Sequence, residues 1–352
     1  MTVSVPSFAK INLGLRIGAL RPDGFHALRT AYQTIALHDV VRVSVARGSG
    51  IEIRCDDPRV PRDSTNTCWR IVELAMAPMK ARGRVLVEIE KRLPVQGGLG
   101  GASGNAVAAL LALERALKKK PSGADRLRVA AEVGSDLPLF LIGGTVLGVG
   151  RGEEVYPLPD LPAMACVIAM PDIAVSTPNA FAEWDELAEQ SSAWTGEGAR
   201  PHMANADAES LPDAKLTRPR ASVRMLKFSR EISAWLSAAS ERAGRRSGVS
   251  AKGGGRAENP LLDLVRTGIE NDFERVVFPK YPELRELKSV LERAGARYAS
   301  LSGSGSAVYG LFESPEKAAV AAKRLNKSGV SAVVTSTLTR QQYWKRLLAI
   351  GS

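Results

Sequence analysis

Cysteine is scarce in this 352-residue chain: Cys55, Cys68 and Cys166, with no CxxC pair. Three such residues build neither a disulfide framework nor a zinc cluster, which favours a reducing compartment and, by default, the cytoplasm. Histidine is as rare, with three residues, and aromatics reach only 5%. No basic head followed by an apolar run opens the chain, so a secretory signal is not expected. The longest uncharged stretch, Leu93 to Leu113, carries five glycines with Pro94, Gln96, Ser103 and Asn105. It reads as a loop opening into a helix, and a membrane span is not expected. No Gly-Lys dipeptide occurs, and Ser103 stands where a G-x-G-x-x-G pattern needs its last glycine, so a Walker loop and an ordinary dinucleotide fold both fail.

What is present suits a globular protein of two domains: 45% hydrophobic and 24% charged residues over 37.6 kDa. The net charge of +11 suggests a polyanion partner, but 11 Lys/Arg against 3 Asp/Glu fall between Asp213 and Arg256. That local +8 reads as a solvated arm, so nucleic acid is not expected as a partner. The surrounding segment, about 190–259, is rich in Ser, Ala, Gly and Arg and reads as a basic, mobile insertion with one amphipathic piece at Met225–Leu236.

Alternation at Ile11–Ile17, Val41/Val43/Val45, Ile51/Ile53 and Val85/Val87/Ile89 predicts half-buried strands in the first third. The first strong helix is expected near Ser103, its N-cap, with Val107, Leu110, Leu111 and Leu117 on one face. A turn at Pro157-Leu158-Pro159 sets a domain boundary, giving 1–160 and 161–352. Beyond the insertion, a helix at Pro282–Ala294, strands at Tyr298–Leu301 and Ala307–Phe312, a helix at Pro315–Asn326 and a strand at Val330–Val334 predict an antiparallel sheet covered by helices on one side.

The stretch Pro94-Val95-Gln96-Gly97-Gly98-Leu99-Gly100-Gly101-Ala102-Ser103-Gly104-Asn105 joins a strand to a helix. Its glycines let backbone amides approach an anion, and the helix start adds a positive dipole end, so it fits a phosphate. Ser302-Gly303-Ser304-Gly305-Ser306 is a second small-residue loop, fitted to close over phosphates from another side. Lys10 and Asp136 sit among small or apolar neighbours, where a charge must be paired or used.

Lys10 in Ala9-Lys10-Ile11-Asn12-Leu13, the glycine loop and the Ser302–Ser306 loop together resemble the three motifs of the GHMP kinases, the galactose, homoserine, mevalonate and phosphomevalonate kinase family. Arg21-Pro22-Asp23-Gly24-Phe25-His26 and Gly134-Ser135-Asp136-Leu137-Pro138, with Gly143-Gly144 and Gly148–Gly152, are similar to a branch acting in non-mevalonate isoprenoid synthesis. The resemblance covers about Pro6 to Phe181 and Asn271 to Phe312. It implies an α+β, two-domain fold, with a ribosomal protein S5 domain 2-like N-terminal domain and a ferredoxin-like C-terminal one. It also implies an ATP- and Mg²⁺-dependent kinase, monomeric or homodimeric, acting on the 2-hydroxyl of a cytidine-diphosphate-linked methylerythritol.

On that resemblance Asp136 is the catalytic base and Lys10 its partner. ATP lies on Pro94, Gly97, Gly98, Leu99, Gly100, Gly101, Ala102, Ser103 and Gly104, with Asn66 on the adenine side. The sugar alcohol and diphosphate meet Asn12 and Thr177, and the cytosine lies between Phe25 and Phe181 with His26 reading its edge. Ser302, Gly303, Ser304 and Gly305 form the second glycine loop; metal ligands are not assigned. Gly104 departs from the family's second serine, Gln96 from a small residue and Thr67 from an apolar one. A homoserine or mevalonate kinase, a non-catalytic nucleotide-binding regulator, and an RNA-binding protein acting through 213–256 stand as alternatives.

Overall fold

The computed structural model describes residues 2–193 and 269–349. Apart from its first few residues, the basic insertion expected at about 190–259 lies outside them, as does the amphipathic piece at 225–236.

The described residues form two sheets. The first opens with two long strands, β1 (Thr2–Leu20) and β2 (His26–Ala46), paired antiparallel. Register shifts at Phe8/Ala9, Asn12/Gly14 and Ile17/Leu20 bend this ribbon, as bulges do. β2 then divides its partners: Val40–Ala46 pairs with β4 (Arg84–Glu90), and Thr30–Gln33 pairs with β5 (Thr145–Val149). β3 (Ile51–Cys55) runs parallel to β4 through a crossover containing α1 (Thr67–Met76), and β6 (Glu154–Pro157) closes the other edge.

The expectation of a half-buried strand at 11–17 fails. β1 is buried continuously from Val5 to Gly18. Val3, Val5 and Phe8 join a core with α2 (Gly101–Leu117), while Ala9, Ile11 and Leu13 join a second core with the other sheet. The intervening polar residues are therefore buried too: Lys10, Asn12 and Arg16 are hydrogen-bonded, as burial of a polar group demands, whereas the Ser7 hydroxyl has no partner. α2 itself is buried at every position from Gly104 to Glu114, so it has no single apolar face. It begins at Gly101 with Gly100 as N-cap, three residues before the Ser103 cap expected. α1, which the sequence reading did not anticipate, starts from Asn66, whose side chain accepts from the Cys68 amide at 2.8 Å. α3 (Gly123–Val133) and the short α4 (Leu137–Phe140) complete this layer.

The second sheet has the order β10-β7-β9-β8 and is wholly antiparallel. β8 (Tyr298–Leu301), β9 (Val308–Phe312) and β10 (Ser331–Ser336) follow the sequence pattern closely, whereas β7 (Ala165–Met170) enters the middle of the sheet from before the insertion. α5 (Thr177–Ala193), α6 (Glu274–Lys280), α7 (Pro282–Arg293) and α8 (Pro315–Lys327) cover one face. Leu284, Leu287 and Leu291 of α7 point inward as their spacing predicts. Cys166, Ile168, Tyr309 and Leu311 turn the other face toward Ile11 and Leu13 of β1. The last helix, α9 (Arg340–Leu348), opens with a Thr339/Gln342 capping box and returns Tyr343 and Leu347 to the first core. Among the described residues no helix is long and apolar enough to cross a membrane.

Candidate active site

Lys10 is 4% exposed and lies midway along β1. Its ammonium donates to Asn12 Oδ1 at 2.7 Å and stands 3.4 Å from Asp136 Oδ2. Asn12 is fixed in turn, because its Nδ2 donates to Thr30 Oγ1 at 2.7 Å and that hydroxyl donates to the Gly14 carbonyl at 2.8 Å. Asp136 precedes α4 without capping it, and its side chain is 31% exposed. The pair is thus asymmetric: a buried, held cation faces a carboxylate that solvent and ligands can reach. The second carboxylate oxygen, Oδ1, accepts from the Tyr32 hydroxyl at 2.9 Å.

The glycine loop is gripped where it leaves β4. Asp39, fully buried, accepts from the Arg92 and Leu93 amides at 2.7 and 2.8 Å through Oδ1. Through Oδ2 it accepts from Asn105 Nδ2 at 3.0 Å and from the Lys91 ammonium. One carboxylate therefore ties the strand exit to the first turns of α2. Between these anchors the chain turns through Gly98 at φ +72° and Gly100 at φ +69°. A Cβ at Gly98 would stand 2.0 Å from the Ser302 carbonyl oxygen, and one at Gly100 2.9 Å from Lys10 Cγ. Neither position admits a side chain. α2 starts without a side-chain cap, which leaves its first amides to a ligand or solvent. Gly104 has its own steric reason: a Cβ there would meet the Phe8 carbonyl oxygen and Ser7 Oγ, each at 2.9 Å.

The 302–306 loop is buried and packs on the first loop. Ser302 Oγ donates to the Gly98 carbonyl at 2.9 Å, and the Ala307 amide donates to the Gly97 carbonyl at 3.2 Å. Asn271 holds it from behind, donating to the Leu301 and Gly303 carbonyls at 2.9 and 2.7 Å. Ser304 Oγ meets Thr177 Oγ1 at 2.7 Å, joining the start of α5 to this loop.

A cavity of about 350 Å³ lies on the far side of the glycine loop, within the range of small-molecule sites. Residues 94–103 form one wall, and Arg59, Pro61, Asn66 and Thr67 the other. Gly100 lines this cavity and also touches Lys10, so the loop separates it from the Lys10–Asp136 pair. Asn66 borders it with both side-chain groups engaged, Oδ1 by Cys68 and Nδ2 by the Pro61 carbonyl at 2.6 Å. Asn105 Oδ1, also in the wall, is buried without a hydrogen-bond partner. Burial pushes the thiol of Cys68 up to about 12, so it stays protonated and inert.

At the other end, His26 and Phe181 stack in parallel with centroids 5.2 Å apart, and Phe181 meets the edge of Phe273 at 4.9 Å. His26 Nδ1 faces the Gly18 carbonyl at 3.1 Å and Nε2 faces Asp185 Oδ1 at 3.2 Å. Both nitrogens already face protein acceptors. Phe25 stands apart from that stack, 51% exposed, with the Arg151 guanidinium 4.9 Å from its ring centroid.

Lys10, Asn12, Asp136 and both glycine loops therefore meet at one place. Asn66 lies across the cavity, and Phe25, His26 and Phe181 belong to a separate wall. Tyr32, Asp39, Asn271 and Asp185 escaped the sequence reading. Only Asp39 left a signal there, an acid directly beside the apolar strand run Val40-Val41.

A two-sheet fold with a strand-borne lysine, an interlocked pair of glycine loops and an opposed aspartate is that of the GHMP kinases. Residues 66–144 match the GHMP kinases N terminal domain and residues 258–331 the GHMP kinases C terminal family model. The chain is 32% identical over 346 residues, 97% of its length and 92% of the relative's, to a 4-diphosphocytidyl-2-C-methyl-D-erythritol kinase of Solibacter usitatus (strain Ellin6076). A protein of the same name from Acaryochloris marina (strain MBIC 11017) is 33% identical, over 90% of this chain and 89% of that one. A crystal structure of 4-(cytidine 5'-diphospho)-2C-methyl-D-erythritol kinase matches with TM-score 0.64 and 26% identity, covering 95% of this chain and 98% of the other. Homoserine kinase from Cytophaga hutchinsonii shares the fold, with TM-score 0.66 at 20% identity over 97% and 96% of the two chains. The chain belongs to the GHMP kinase family, in the 4-diphosphocytidyl-2-C-methyl-D-erythritol kinase branch, and is an ATP-dependent phosphotransferase.

Proposed function

We propose that the chain transfers the γ-phosphoryl group of ATP to the 2-hydroxyl of 4-diphosphocytidyl-2-C-methyl-D-erythritol, giving the 2-phosphate and ADP. The 3.4 Å approach of Lys10 Nζ to Asp136 Oδ2, beside the glycine loop, is the observation that carries this reading. The acceptor hydroxyl lies against Asp136 Oδ2, since Oδ1 is occupied by Tyr32. Asp136 takes the hydroxyl proton as the oxygen–phosphorus bond forms and the bond to ADP breaks. Lys10 keeps the carboxylate ionised and offsets charge on the moving phosphoryl group. Asn12 holds the ammonium in place.

The uncapped start of α2 and the 94–104 backbone cradle the phosphates, with the adenine beyond them in the cavity beside Asn66. Gly104 does not weaken this cradle, which is made of main chain. Among the described residues no group of three or more His, Cys, Asp or Glu side chains could hold a metal ion. A magnesium ion therefore fits here as a companion of the nucleotide, on its phosphates and water, with the Ser103 hydroxyl at hand. When bound it would supply neutralisation of the charge on the nucleotide phosphates.

Phe25 offers an exposed ring for the cytosine, the His26–Phe181 stack forms the adjoining wall, and Thr177, at the start of α5 and hydrogen-bonded to Ser304 of the second loop, meets the diphosphate. Proteins carrying this activity in their names run at 26–38% identity, whereas the homoserine and mevalonate kinases match at 20% or less, in fold alone.

A phosphorus NMR assay with a panel of alcohols tests the proposal. Wild type phosphorylates the cytidylyl substrate and not homoserine or mevalonate. Lys10→Ala and Asp136→Asn each lower kcat by roughly 10²–10⁴-fold. A fully active Asp136→Asn variant would refute the assignment.

A further inference from the structure

Tyr32, which belongs to none of the motifs, hydrogen-bonds Asp136 and lies beside Lys10. Its ring lies on β2 and is 2% exposed; its hydroxyl donates to Asp136 Oδ1 at 2.9 Å, and the Lys10 ammonium stands 5.7 Å from its ring centroid. We infer that Tyr32 is a positioning residue for phosphoryl transfer, fixing the rotation of the Asp136 carboxylate so that Oδ2 alone is presented to the acceptor hydroxyl.

Asp136 needs such a device. It does not cap α4, its side chain is partly exposed, and its contact to Lys10 is longer than a hydrogen bond. A carboxylate held at one end by a single ion pair can rotate, and either oxygen could then face the substrate. A charge-assisted bond to the other oxygen, here at 2.9 Å, removes that freedom. Misplacement by a fraction of an ångström is costly in an in-line transfer, so the donor acts on the rate and not on binding.

The surroundings are shaped for this phenol. A Cβ at Gly148 would stand 2.5 Å from Tyr32 Cε2, and one at Gly152 2.6 Å from the Tyr32 hydroxyl oxygen. The Gly148–Gly152 segment, singled out in the sequence without a role, is thus the clearance for a ring and for its hydroxyl. Burial first, and then the charges of Asp136 and Glu153, push the phenol well above its ordinary value. It therefore stays a donor throughout the working pH range and takes no part in proton transfer itself.

This inference rests on Asp136 being the base of the proposed reaction, and two measurements separate the two ideas. In kinetics, Tyr32→Phe lowers kcat roughly tenfold, the scale of losing one hydrogen bond to a charged group, with KM for ATP and for the cytidylyl substrate within about twofold. In the Asp136→Asn background the same change costs no further activity, because the group being oriented is gone. An unchanged kcat, a loss confined to KM, or losses that multiply in the double variant would each overturn the inference. Independently of turnover, carbon-13 NMR of tyrosine-ζ-labelled protein reads the phenol itself. The Tyr32 resonance, assigned by its loss in Tyr32→Phe, moves in Asp136→Asn if the bond exists. A resonance indifferent to Asp136 would overturn the inference even if the kinase assignment stands. Inactivity of wild type toward the cytidylyl substrate would instead sink the functional reading.

Discussion

The two ends of the candidate site are built to different standards. At the phosphoryl end every functional side chain is held by another: Lys10 by Asn12, Asn12 by Thr30, Asp136 by Tyr32, and the loop entrance by Asp39. Lys10, Asn12, Thr30 and Asp39 are buried, and the neighbours of Gly98 and Gly100 leave no space for a methyl group. At the aromatic end, where we propose the cytidine binds, Phe25 is half exposed, and the Asp185 side chain that faces His26 is 47% exposed. Bond transfer demands fixed geometry, whereas stacking on an aromatic face tolerates adjustment.

The sharpest way to break this contrast is to remove its deepest anchor. Asp39→Ala leaves the Lys91 charge and two backbone amides without their acceptor, and is expected to lower unfolding free energy by about 3–5 kcal/mol in denaturant titrations. A loss under 1 kcal/mol would mean the loop entrance is not over-determined. Gly98→Ala comes next: a left-handed alanine driven against the Ser302 carbonyl should cost roughly 2–4 kcal/mol and raise KM for ATP. Thermal melting with steady-state kinetics reads both effects. Phe25→Ala is the mildest. KM for the cytidylyl substrate should rise roughly tenfold, within the 1–3 kcal/mol assigned to a stacked base, while melting temperature and KM for ATP hold. Equal damage to kcat would show that the cytidine wall is also part of the precise end.

Much of the precise end was legible because its parts are local patterns. Consecutive glycines at a strand–helix junction, and a lone lysine among apolar residues, announce themselves within a dozen positions. What holds those parts does not. Tyr32 reads as one more aromatic on a strand, and its meaning comes from Asp136, 104 positions away. Asn271 is likewise a common surface type until folding places it behind the second loop. Periodicity misjudged β1 and α2 for a related reason: both lie between two packed layers, where alternation and helical stripes no longer separate inside from outside. Asn66 shows the converse. Its place by the cavity was expected, but the structure also makes it a cap, with both amide groups engaged.

The first strand carries a mechanical consequence. It bears Lys10 and Asn12, contributes Val5 to one core, Ile11 to another and Leu15 to a third, and is pinned to the 270–272 segment by paired backbone bonds and the Arg16–Asp272 ion pair. Such a strand works as an axle shared by both sheets, so they cannot swing apart without bending the rod that carries the Lys10 ammonium. Adjustment to a bound substrate is therefore expected in the loops around β1 and not in the strand itself.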